Sequence, residues 1–274
     1  MTTRQALQRV AWLAWLAIGP AVAALPPAPG LAPTASIPPP VTPQDRLNQA
    51  WWAARHRALL ATLAADPDPK VLLIGDSITN NYDKSDPPDE DFKPIWQAFY
   101  APRGALNLGY SGDTTAHVLW RLRHGEIDGI HPKAAVLLIG TNDTQAGRSA
   151  IDTQRGIDAV VAELRNRLPD TKILLLGILP SGISEAKTAT DRAVNRYLAR
   201  HYVGHPRVTY RDIGGIFMKA DGTLDPAVFY DPRLPHPGKP LHPDTVGQRR
   251  MAEAIEPLLV RLIGRLRDQS ASNR

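Results

Sequence analysis

A chain of 274 residues without a single cysteine cannot be held by disulfides and cannot build a thiolate metal centre. Its formal net charge of +5, from 32 basic against 27 acidic residues spread along the chain, is too mild to mark a nucleic-acid binder. The length suffices for one domain with a full core.

Arg4 and Arg9, an apolar stretch over 10–18 and the small-residue pattern Ala21-Val22-Ala23 read as a secretory signal peptide over 1–23. The expected location is therefore periplasmic or secreted. The stretch falls short of the ~20 residues a spanning helix needs, so no stable membrane span is expected after cleavage. An uncleaved anchor is the alternative. Residues 24–43 are Pro- and Ala-rich, which suits an extended tether rather than a core. The folded domain is expected over 44–274.

Residues 44–65 have helical character, with Leu47, Trp51, Leu59 and Leu63 on one side. The first strand is 71–74, Val-Leu-Leu-Ile. Between Asp83 and Asp91 lies an acidic loop with Asp86, Asp89 and Glu90. It lacks the spacing and central glycine of a calcium loop and reads as solvated. A second strand over 105–108 leads to a helix over 116–123. A third, over 134–139, is uninterruptedly apolar, as a strand covered on both faces should be. It leads to a helix over 153–168. A fourth over 172–176 precedes a helix over 185–202, and a weaker fifth spans 208–210. A helix over 246–266 closes the series; its Arg261, Arg265 and Arg267 suit the negative end of the helix dipole. Strands alternating with helices predict an α/β fold: a three-layer α/β/α sandwich on a flavodoxin-like parallel sheet of about five strands, ordered 2-1-3-4-5. Neither a phosphate-binding Gly-x4-Gly-Lys loop nor a Gly-x-Gly-x-x-Gly turn occurs.

Each strand end carries polar residues. Gly75-Asp76-Ser77 follows the first strand, Gly109-Tyr-Ser-Gly-Asp-Thr114 the second, and Gly140-Thr-Asn-Asp143 the third. Leu241-His-Pro-Asp-Thr245 precedes the last helix. Taken singly, Asp76, Asp113, Asn142 and Thr245 suit helix caps, and Gly112 a backbone requirement. Together they suit ester hydrolysis, which needs a nucleophile, a base and donors for an oxyanion. Ser77 offers the hydroxyl and His242 the base. The amides of Ser77, Gly112 and the Asn142 side chain offer the donors. A histidine base predicts loss of activity as the imidazole protonates.

The ordered set Ser77, Gly112, Asn142, His242 resembles the SGNH (GDSL-like) hydrolase superfamily. The stretch from Asn107 to Leu122, then Gly-Glu-Ile-Asp-Gly-Ile over 125–130 and Gly-Thr-Asn-Asp over 140–143, resembles in particular the branch around platelet-activating-factor acetylhydrolase catalytic subunits. The resemblance spans residues 71–257. It implies a flavodoxin-like fold, a serine nucleophile, no cofactor or metal, and hydrolysis of small acyl, often acetyl, esters. One departure stands out. The family carries Asp three residues before the catalytic histidine, but Lys239 stands there, and Arg233 precedes the neighbouring His236 in the same way. His242 is preferred because His-Pro-Asp before a helix matches the family's ending. Asp231 is the candidate replacement acid; a backbone carbonyl or a bare Ser–His dyad is the alternative. Export, with a superfamily rich in carbohydrate esterases, points to O-acetylated carbohydrate as substrate. An acyltransferase on the same site and a non-catalytic carbohydrate-binding module are the alternatives.

Overall fold

A computed structural model of the chain describes residues 41–86, 90–229 and 239–264. The expected signal peptide and the tether up to residue 40 lie outside the described residues, as do Asp89, Asp231, His236, Arg265 and Arg267. In chain order the elements are α1 (Ala50–Ala65), β1 (Val71–Gly75), α2 (Ser77–Asn80), β2 (Ser85–Asp86), β3 (Glu90–Asp91), α3 (Lys93–Phe99), β4 (Ala105–Gly109), α4 (Thr115–Arg121) and β5 (Ala134–Leu138). They continue with α5 (Thr141–Gln145), α6 (Ala150–Arg167), β6 (Lys172–Leu176), α7 (Glu185–His201), β7 (Val208–Arg211) and α8 (Thr245–Ile263).

The five longer strands make one parallel sheet in the order β4-β1-β5-β6-β7, the expected 2-1-3-4-5 arrangement. Strand side chains alternate between two faces, and both faces are covered. Leu72 and Ile74 of β1 join Leu108, Leu137 and Leu175 against Trp52, Val118, Val160 and Val194 on one side. Val71 and Leu73 join Val136 and Leu174 against Ile95, Met251, Ile255 and Leu259 on the other. Each such fully buried aliphatic side chain is worth about 1.5–3 kcal/mol relative to exposure.

The register positions the site. Gly75 lies abreast of Gly109 on one side and of Leu138 on the other. The residues that leave these three strands therefore emerge from one rim of the sheet. Close packing demands glycine at position 75: a Cβ there would sit 2.5 Å from the Leu138 carbonyl oxygen and 2.3 Å from Thr79 Oγ1.

Some local expectations are corrected. The first helix begins at Ala50, not at Gln44, because Gln49 is extended and the preceding segment lies along α4, with the Gln44 N–H donating to the Ala116 carbonyl. Trp52 is fully buried while its neighbour Trp51 is 44% exposed beneath the Arg46 guanidinium. The acidic loop contains the small β2–β3 ladder, closed by Lys84–Glu90 at 2.6 Å and Ser85–Asp91 at 3.0 Å.

Candidate active site

Asp76 and Ser77 divide two jobs between them. The Asp76 side chain accepts the Ile78 N–H at 3.0 Å and so caps α2, satisfying one of the donors a helix start leaves free. Ser77 is the first residue of that short helix. Ser77 Oγ stands 2.8 Å from His242 Nε2, across 165 residues of chain, with both residues buried. The cap falls to Asp76, and the hydroxyl of the adjacent Ser77 is the one brought to His242.

The segment bearing His242 is fixed against α2 by α8. Asp244 caps α8 by accepting the Gly247 N–H at 2.7 Å. Gln248, fully buried, donates its side-chain amide to the Ile78 carbonyl at 2.8 Å, one residue past the serine. Thr245 is thus the first residue of α8 rather than its cap. Nothing in the sequence marks Gln248; only the packing of α8 against α2 reveals it.

The loop after β4 is stitched to the same rim. The Tyr110 N–H donates to the Gly75 carbonyl at 3.1 Å, and Ser111 Oγ donates to Asn80 Oδ1 at 2.9 Å. Gly112 has φ +77°, a conformation that favours glycine, and a Cβ there would meet the Arg46 guanidinium at 3.1 Å. Backbone shape and Arg46 require glycine at this position. Asn142, in α5, donates one side-chain N–H to the Asp113 carbonyl at 2.8 Å. Its other N–H, and the backbone N–H groups of Ser77 and Gly112, take no partner among the described residues.

Beneath this loop lies a buried ion network that the sequence did not announce. Arg121, Asp113 and Glu126 are all fully buried. Arg121 donates to Asp113 Oδ2 at 2.8 Å and to Glu126 Oε2 at 2.5 Å. Arg46 and Trp52 donate to Asp113 Oδ1 at 3.0 and 2.9 Å. Tyr110 Oη donates to Glu126 Oε1, which also meets His56 Nδ1 at 3.0 Å. Burial pushes the Glu126 carboxyl up, but the charge of Arg121 and the bonds from His56 and Tyr110 outweigh it and hold it below its ordinary value. Asp113 therefore anchors the loop after β4 and is not a cap; Thr114 caps α4 in a reciprocal pair with His117.

Asp76 is different. Burial pushes its carboxyl up to about 7, against the downward pull of the Ile78 N–H, and its Oδ2 has no hydrogen-bond partner. Among the described residues no three His, Asp or Glu side chains group as a metal site would require.

A serine paired with a histidine, beside free amide donors at the carboxyl ends of parallel strands, is the arrangement of acyl-transfer hydrolases. Residues 73–250 match the model of the GDSL-like lipase/acylhydrolase family. The chain belongs to that family. The chain is 33% identical over 238 residues to human platelet-activating factor acetylhydrolase IB subunit alpha1, covering 86% of this chain and 94% of that one. A solved structure from Streptococcus pneumoniae aligns with TM-score 0.60 at 20% identity, covering 78% of this chain and 97% of the other. A GDSL-like lipase from Bacteroides thetaiotaomicron aligns with TM-score 0.56 at 18% identity, covering 77% and 97%. These two structural likenesses bear on the fold; the family match and the human relative bear on the chemistry. This GDSL-family member is a carboxylic ester hydrolase. No helix among the described residues is long and apolar enough to cross a membrane.

Proposed function

We propose that this protein is an exported esterase that hydrolyses short acyl esters, chiefly acetyl, with O-acetylated carbohydrate as its substrate. Ser77 Oγ attacks the ester carbonyl as its proton passes to His242 Nε2. The tetrahedral oxyanion is held by the N–H groups of Ser77 and Gly112 and by the side-chain N–H of Asn142 that Asp113 leaves free. Collapse breaks the bond to the alcohol, which takes the proton from His242. Water, deprotonated by the same imidazole, then releases the acid and restores the hydroxyl.

The observation that carries this reading is the 2.8 Å approach of Ser77 Oγ to His242 Nε2. The acetyl preference is supported by the likeness to a relative named as an acetylhydrolase. Asp231, in the segment outside the described residues, is the proposed partner that orients the imidazole. Export rests on the basic, apolar and small-residue order of residues 1–23. N-terminal sequencing of the mature protein tests it, since an intact Met1 would contradict cleavage. For the chemistry, Ser77→Ala should lower kcat on p-nitrophenyl acetate by about 10⁶-fold, as loss of a triad nucleophile does elsewhere. Hydrolysis at the wild-type rate would reject the assignment.

A further inference from the structure

The loop after β4 turns through Tyr110-Ser111-Gly112-Asp113. The Asp113 N–H donates back to the Tyr110 carbonyl at 3.1 Å, so these residues close a β-turn, and φ +77° at Gly112 matches the third residue of the type II form. Types I and II differ in their central peptide, here Ser111–Gly112. It turns over between them, with the ideal φ of the third residue running from about −90° to about +80°. Glycine accepts either sign of φ, so it permits the type II form without holding the turn there. In a planar trans peptide the carbonyl and the following N–H point opposite ways. Whatever grips the Ser111 carbonyl therefore aims the Gly112 N–H.

Arg46 grips it. Its Nη1 donates to the Ser111 carbonyl at 2.8 Å and to Asp113 Oδ1 at 3.0 Å, and no other donor reaches that carbonyl among the described residues. The guanidinium is itself held: Nη2 donates to Gln49 Oε1 at 2.8 Å, and Cζ lies 5.3 Å from the centre of the Trp51 ring. The segment that carries it is tied to α4 through the Gln44 N–H and the Ala116 carbonyl, at 3.1 Å. Asp113 does not depend on Arg46, because Trp52 donates to the same oxygen and Arg121 to the other. The Ser111 carbonyl does depend on it. Arg46 also lies outside residues 73–250, the part that matches the family model. A charged donor makes a stronger bond to a carbonyl than a neutral one does, and it polarises the peptide, which strengthens the N–H on the far side as a donor.

We infer that Arg46 is a positioning residue for ester hydrolysis: it holds the Ser111–Gly112 peptide in the form that turns the Gly112 N–H away from the guanidinium and toward the oxyanion. The inference rests on the esterase reading above and adds a residue to that same site. Its test uses the full chain as wild type, Arg46→Met and Arg46→Lys. The readouts are kcat and KM on p-nitrophenyl acetate, the inhibition constant of an alkyl trifluoromethyl ketone, and the circular-dichroism spectrum. Ser77 Oγ adds to the carbonyl carbon of that ketone as its proton passes to His242, which leaves an alkoxide where the oxyanion would form. Arg46→Met should lower kcat about tenfold, the scale of one charged hydrogen bond and below the loss of an oxyanion donor itself, with KM within about twofold. The inhibition constant should rise by the same factor, since the adduct needs the same N–H. Arg46→Lys keeps the charge beside Asp113 but lacks the planar fork that serves two acceptors, so it should lower kcat by less. Wild-type kcat in a folded Arg46→Met overturns the assignment, as does a change confined to KM or a kcat loss that leaves the inhibition constant unchanged. Should Arg46→Met not fold, wild-type kcat in Arg46→Lys overturns it. Ser77→Ala separates the two levels: if it hydrolysed at the wild-type rate, the esterase reading would fall and the role of Arg46 with it, whereas if it lost activity while the Arg46 variants kept theirs, the role of Arg46 alone would fall.

Discussion

Beneath the loop after β4, Asp113, Arg121 and Glu126 are fully buried, and each of the four carboxylate oxygens has a donor. At the other end of the rim, beside β6 and β7, the hydroxyls of Ser181 and Tyr210 are buried with no partner at all. The first region is finished before any substrate arrives. Its charges anchor the loop that carries Gly112 and the Asp113 carbonyl, as the proposed preorganised oxyanion donors would require. The second region keeps two buried hydroxyls unsatisfied.

Breaking the first region should do the most damage. Arg121→Met strands two buried carboxylates, and we expect a stability loss of about 3–5 kcal/mol, read from the urea midpoint. A midpoint equal to wild type would show that the network is dispensable. Asn142→Ala should lower kcat on p-nitrophenyl acetate by about 10²–10³, or about 2.7–4 kcal/mol of transition-state stabilisation, with a native circular-dichroism spectrum. A change confined to KM would remove Asn142 from the oxyanion site.

Asp76 sharpens the comparison through pH. Its folded pKa is about 7 against an ordinary 3.8, so between those values the folded state keeps a proton that the unfolded state has lost. The Asp76 contribution to stability should therefore fall as pH rises from about 4 to about 7 and level off above, on the order of 4 kcal/mol in all. Asp76→Asn keeps a capping oxygen but cannot titrate. The difference in unfolding free energy between variant and wild type should grow over that window; a constant difference would contradict the shifted carboxyl.

The mildest test pairs two tyrosines. Tyr110→Phe removes a donor from buried Glu126 and should cost about 1.5–3 kcal/mol, while Tyr210→Phe removes a hydroxyl that bonds to nothing and should be near neutral. Equal costs would erase the distinction between the two regions.

Much of this was legible in the residues. The apolar runs that became β1, β4, β5 and β6 are buried on both faces, and that requirement wrote them as unbroken Val, Leu, Ile and Ala. Ser77 and His242 were legible because their motifs stand at strand and helix ends, where their place on the rim follows from topology. Helices α2 and α5, four and five residues long, were not, because they are too short to show a periodicity. Nothing in the sequence marks Arg121 and Glu126 as buried, since a buried ion is recognisable only beside its partner.

The central claim is that Ser77 is a nucleophile activated by His242. Treatment of the full chain with a fluorophosphonate, followed by digestion and mass spectrometry, tests it most directly. One adduct on the Ser77 peptide is expected, absent in Ser77→Ala and slow to form in His242→Ala. A folded protein that takes no label, or takes it on another serine, would contradict the claim.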